Sequence, residues 1–348
     1  MRVIYGSSAT KSVSKGARYD SHAAEETGIP MSWLMRAAVA LAWLGRQGTR
    51  AVALSVFAGL ALPWLAALFK PAFTPSVFVL LTLAFLRVDP AALRQRFRRP
   101  GLVLAATVWM VVATPLACGF PLAALGLDRG LLVALIFQAA APPVVATSSL
   151  AALMGLDAAL ALAVLTAGAI ATPATAAGFA ALFLGTAIDL SPLSLGLRLF
   201  AMLAGAAAIA ALLRRAAGQA WVERQTERID GLSVIALFVF AVAVMDGVVA
   251  QTVARPTLVL GLLGLAFATS LVLGAITALV FWRAGREAAL TLALCAGLRN
   301  LGVMIAATGG RVPAVTWLYI AMAQFPVYLL PHALKAALAA ARKNAKAC

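Results

Sequence analysis

Two short stretches, each set inside an apolar run, carry the residue types best suited to chemistry. One reads Cys295-Ala296-Gly297-Leu298-Arg299-Asn300-Leu301-Gly302, an Arg-Asn pair between glycines. The other sets Pro142 and Pro143 ahead of the polar run Thr147, Ser148 and Ser149. A guanidinium at the depth of hydrocarbon is costly and persists only where it faces protein, water or an anion. Arg299 therefore points either to binding of an anion or to satisfying carbonyls that a broken helix leaves free. The two prolines remove backbone donors and stop regular helix, and Asn300 is suited to cap a helix restarting after it. Asp246, near the end of another apolar run, suits proton coupling or, beside Gly247, a place at the water interface. Gln138 and Gln324 can donate to a substrate or bridge helices, and His332, close to Lys335, reads as interfacial.

An enzyme is not indicated. There is no Walker-type phosphate loop, no HExxH and no GxSxG, and two histidines leave few general bases. The three cysteines, Cys118, Cys295 and Cys348, show no CxxC spacing, so neither a disulfide framework nor a metal site is expected. No cofactor is expected either.

The elements that must position these residues follow from composition. Hydrophobic residues make up 63% of the 348 and charged ones 11%, with mean hydropathy +0.98, a balance that a soluble surface does not tolerate. Lipid bilayer is then the main solvent, and helices satisfy their own backbone within it one segment at a time. Apolar runs of roughly 20 residues recur after Arg50. The spans drawn from Arg, Pro and Gly punctuation begin with Ala51–Phe69, Pro71–Val88, Gly101–Phe120, Gly130–Met154 and Ala158–Gly185. A second set runs Leu193–Leu213, Gly231–Ala250, Leu258–Phe281, Ala288–Ala307 and Ala314–Leu334.

The net charge of +16 belongs to this topology rather than to nucleic acid. Alternate loops hold the cations: Arg94, Arg96, Arg98 and Arg99; Arg214, Arg215, Arg224 and Arg228; Arg283 and Arg286; Arg342, Lys343 and Lys346. That asymmetry predicts both termini in the cytoplasm and an even number of spans, about ten. Residues 1–30 read as a disordered cytoplasmic tail and 31–50 as an interfacial helix. Glu223, Glu227 and Asp230 among Arg224 and Arg228 read as a solvated, self-paired loop. The fold class is thus an all-α membrane protein built as two five-helix repeats, 51–185 and 193–341, entering the bilayer from opposite sides. The fourth span of each half carries one of the two interruptions, which marks a transporter's binding site.

At these residues the chain resembles the bile acid:sodium symporter superfamily, over nearly everything from Ala51 to Ala341. The likeness rests on Phe97-Arg98-Arg99-Pro100, Thr114-Pro115-Leu116, Ala141-Pro142-Pro143 with Thr147-Ser148, and Gly297-Leu298-Arg299-Asn300. It implies a panel domain from the first, second, sixth and seventh spans and a core domain from the other six. It further implies that the fourth and ninth helices unwind and cross, with substrate held there by Pro142, Pro143, Thr147, Ser148, Gly297, Arg299 and Asn300. Bile acids, pantoate, pyruvate and other organic anions are carried by members of that family. Its sodium ligands, however, fall here on Met110, Thr147, Ser148, Ala161, Leu165, Cys295 and Arg299, so most of the side-chain oxygens are gone. The expectation is a small-organic-anion carrier of a bacterial inner membrane in which the Arg299 charge replaces bound Na⁺. A receptor, sensor or channel on the same fold is the alternative, and nothing in the sequence sets an oligomeric state.

Overall fold

A computed structural model describes residues 39–43, 48–88, 90–97, 100–185, 187 and 190–347. The expected tail, most of the interfacial segment, Arg98, Arg99 and Cys348 lie outside them. The helices of the first half are α1 (Gly48–Ala61), α2 (Pro63–Phe69), α3 (Phe73–Leu86), α4 (Pro90–Phe97), α5 (Pro100–Val108), α6 (Thr114–Ala124), α7 (Arg129–Ala140), α8 (Thr147–Leu153) and α9 (Ala158–Phe179). They are followed by α10 (Pro192–Ala217), α11 (Gln219–Arg224), α12 (Thr226–Val244), α13 (Val248–Ala254), α14 (Pro256–Val280), α15 (Arg286–Gly297), α16 (Leu301–Thr308) and α17 (Ala314–Ala347).

Among the described residues, seven helical stretches are long and apolar enough to cross a membrane: Pro63–Leu86, Pro100–Ala124, Ala158–Leu184, Pro192–Ala217, Thr226–Ala254, Pro256–Val280 and Ala314–Ala336. Their outward faces are apolar too. On α10 the exposed residues include Leu193, Leu197 and Phe200, and on α14 Val272, Ile276 and Leu279, both at one-face helical spacing. Such stripes are stable only against hydrocarbon, so the chain is an all-α, multi-pass membrane protein.

Two ion pairs mark the ends of α12. Asp230 pairs with Arg87, just past α3, and Asp246 pairs with Lys70 at 2.8 Å. Along the helix these carboxylates stand about 24 Å apart at 1.5 Å per residue, close to the hydrocarbon thickness. α3 therefore runs antiparallel to α12. α1 runs the other way, because Leu41 lies against Gly231 while Gly59 packs on Val242 and Met245. The chain leaves helical geometry at Leu62, φ −125° and ψ 73°, and reverses between α1 and α3 through α2 and a 3₁₀ turn, Lys70–Ala72, with bends at Pro63 and Pro71.

The end of α3 is closed by a residue far away in sequence. Arg214, in the last turn of α10, donates through Nη2 to the carbonyls of Phe85, Leu86 and Val88 at 2.8, 2.7 and 2.9 Å. These are the groups a helix C-terminus leaves unpaired. The segment expected as a loop around Glu223 and Asp230 is instead α11 and the first turn of α12. Its Asp230 pairs across to Arg87 rather than within the segment, because the helix aims that carboxylate at α3.

Candidate functional site: a crossing of two broken helices

α7 begins at Asp128, whose Oδ1 accepts from Gly130 N at 2.9 Å and Leu131 N at 3.2 Å. It stops at Ala140. The residue before a proline is pushed out of the helical region, and Ala141 is extended at φ −64° and ψ 147°. Regular helix resumes at Thr147, whose hydroxyl donates to the Val144 carbonyl at 2.7 Å. The second break is similar. α15 stops at Gly297, Leu298 is extended at φ −107° and ψ 90°, and the Asn300 side chain caps α16 by accepting from Val303 N at 3.4 Å.

The two extended pieces satisfy one another. Val144 N donates to Leu298 O at 2.8 Å and Asn300 N donates to Pro142 O at 2.8 Å, forming an antiparallel bridge between Pro143 and Arg299. Unpaired backbone groups at membrane depth cost several kcal/mol each, on the order of the hydrogen bonds they lack, so each break is stable because the other is there.

Arg299 lies within this crossing and is 1% exposed. Its Nε donates to Ala296 O at 2.9 Å, and its Nη1 donates to Ala141 O at 2.9 Å and to Met110 O at 3.4 Å. Met110 reaches the site because α5 passes into a π-turn at Trp109–Ala113, a widening that often accompanies functional positions. One guanidinium thus ties together the ends of α7 and α15 and the middle of the Pro100–Ala124 stretch. Both α7 and α15 present their negative C-terminal ends to it, which favours the positive charge. Nη2 of Arg299 and Oε1 of Gln138, one turn before the first break, find no partner among the described residues.

The other candidates are placed unequally. Pro142, Pro143, Thr147 and Gly297 are buried, and only Ser148 and Asn300 are half-exposed. A Cβ on Gly297 would stand 2.8 Å from the Ser270 carbonyl, so this glycine lets α15 approach α14. The positions matching sodium ligands of the resembling family offer little to a hard cation, which requires oxygen donors. Met110, Ala161, Leu165 and Cys295 are buried without a side-chain oxygen, and Thr147 lies within hydrogen-bonding reach of the Cys295 thiol. The Ala296, Ala141 and Met110 carbonyls at the crossing accept from Arg299. Asp246 stands apart, paired with Lys70. Gln324 donates to Ile320 O of its own helix at 3.0 Å, and His332 is exposed.

Sequence reasoning missed three contacts that fix the surroundings. Trp109 Nε1 donates to Thr277 Oγ1 at 3.0 Å, Thr269 Oγ1 and the Tyr319 hydroxyl are 2.9 Å apart, and Asp157 N donates to Thr291 Oγ1 at 3.1 Å. Each joins helices distant in sequence, and no local pattern announces the partner. Scans of the chain against models of known protein families and against curated proteins gave no match.

Proposed function

We propose that the protein is a secondary carrier of a small organic anion, working by alternating access at the crossing and without sodium coupling. One observation carries this reading: the two breaks pair reciprocally through their backbones around a buried guanidinium. Interrupted helices meeting near the bilayer midplane are the usual way a secondary transporter builds its site. The reading adopts the architecture of the bile acid:sodium symporter superfamily, with about ten passes in two inverted repeats, 51–185 and 193–341. α7 with α8 and α15 with α16 are then the fourth and ninth spans. The loop cations support a cytoplasmic position for the Asp230 end of α12, and the reading takes the membrane to be a bacterial inner membrane.

Within that scheme Arg299 serves as a resident cation. Its bonds to Ala296, Ala141 and Met110 carbonyls give the crossing the positive charge that bound sodium would otherwise bring. The anion then meets the accessible edge, Ser148, Ser149 and Asn300, with the positive end of α16 behind it.

Counterflow in proteoliposomes tests the proposal. Vesicles loaded with unlabelled pyruvate, pantoate or another small carboxylate should accumulate the labelled form transiently and saturably. Binding without exchange would identify a receptor, and unsaturable flux without counterflow a channel.

A further inference from the structure

The helices pack as two bodies. α12 gathers α1, α2 and α3, and α10 joins them through α3; α5 to α9 pack with α14, α15 and α17 as the second body. The bodies meet through α9 against α10, where a Cβ on Gly196 would stand 2.9 Å from the Pro173 carbonyl, through α16, which lies on α3 and α10, and through α17 against α12. Their shared contacts cluster toward the Asp246 end. Gly302 is so close to Phe240 that an added Cβ would stand 2.8 Å from the ring. Phe73 lies between Phe240 and Trp317, with ring centroids at 5.3 and 5.2 Å. Toward the Asp230 end the bodies keep separate apolar clusters, Leu83, Leu86, Val222 and Ile229 in one and Met154, Leu160, Phe281 and Leu292 in the other. α8 and α15, the half-helices on that side, pack chiefly within their own body.

Over the closed end sits Lys70. Its ammonium is 2.8 Å from Asp246 on its own body and 5.5 Å from the ring centroid of Trp317 on the other. We infer that Lys70, positioned by Asp246, and Trp317 form a latch that closes the Asp246 face, so that the structure is the state open toward the Asp230 face. The ion pair lies within one body and survives opening; the cation–π contact spans the two bodies and parts, together with the Phe73–Trp317 ring contact beside it. A half-exposed cation–π contact is weak enough to break in every cycle. Trp317 Nε1, buried and without a partner among the described residues, gains water when the latch opens, which keeps the closed arrangement from being too stable.

The latch takes its purpose from the carrier reading, but its test needs no substrate. Val77, buried one turn beyond Phe73 in the apolar cluster shared by both bodies, is replaced by cysteine in a chain with Cys118→Ser and Cys348→Ser. A membrane-impermeant maleimide is applied from the Asp246 face, with the fully buried Cys295 as an internal measure of unfolding. With the latch intact, Val77→Cys should be protected. Lys70→Gln should raise its labelling rate about threefold and Trp317→Leu about tenfold, with Cys295 still silent. Lys70→Arg and Trp317→Phe should keep the protection. Equal rates in all four variants, or rapid labelling with the latch intact, would overturn the latch. Failure of counterflow, in contrast, would remove the carrier reading and leave these rates interpretable.

Discussion

Arg299 engages three carbonyls with two of its nitrogens, and those carbonyls come from three different segments. Its first role is therefore mechanical: without it the ends of α7 and α15 lose the donors that let them stop in mid-membrane. Arg299→Gln should destabilise the protein by about 3 kcal/mol, read as a lowered melting temperature in detergent. Arg299→Lys, a point charge that cannot fork, should recover only part of it. If Arg299→Gln melts like the parent but no longer binds carboxylates, the residue is a substrate contact and not a structural cation. The sequence makes the charge and its depth legible, because an arginine inside an apolar run is conspicuous. Its partners are not legible, since Met110 and Ala141 contribute backbone oxygens that any residue carries.

The half-helices need close neighbours as well as caps. Gly297 faces the Ser270 carbonyl, and a Cβ on Gly274 would stand 3.2 Å from the Ala293 carbonyl, so small residues spaced four apart on α14 and α15 form a tight seam. Gly297→Val should push these helices apart at a cost of about 1–3 kcal/mol. Gly264→Ala, on an exposed stretch of α14 with open space around it, should change stability by less than about 0.5 kcal/mol. Equal melting shifts for the two would contradict the seam. Both breaks were readable in advance because Pro142-Pro143 and Asn300 act on their own backbone. The π-turn at Trp109–Ala113 was not, because an apolar run looks the same whether its carbonyls bond four or five residues on. The reversal between α1 and α3, expected as a loop at Lys70, is spread instead over the break at Leu62, α2 and the 3₁₀ turn Lys70–Ala72.

Across the whole molecule, ion pairs at Asp230 and Asp246 and the Arg214 cap hold one body of helices from end to end, while the crossing organises the other. Charge alternation and run length were enough to recognise a multi-pass helical protein. The pairing of helices was not readable, because every membrane span is apolar on most sides and its partners are chosen by small residues and single polar contacts. The central claim is that a covalently fixed cation occupies the place of a bound ion at the junction of two broken helices. Counterflow of a labelled carboxylate in matched Na⁺ and Na⁺-free proteoliposomes tests this most directly. Exchange should be equal in the two buffers; a steep requirement for Na⁺ would contradict the account.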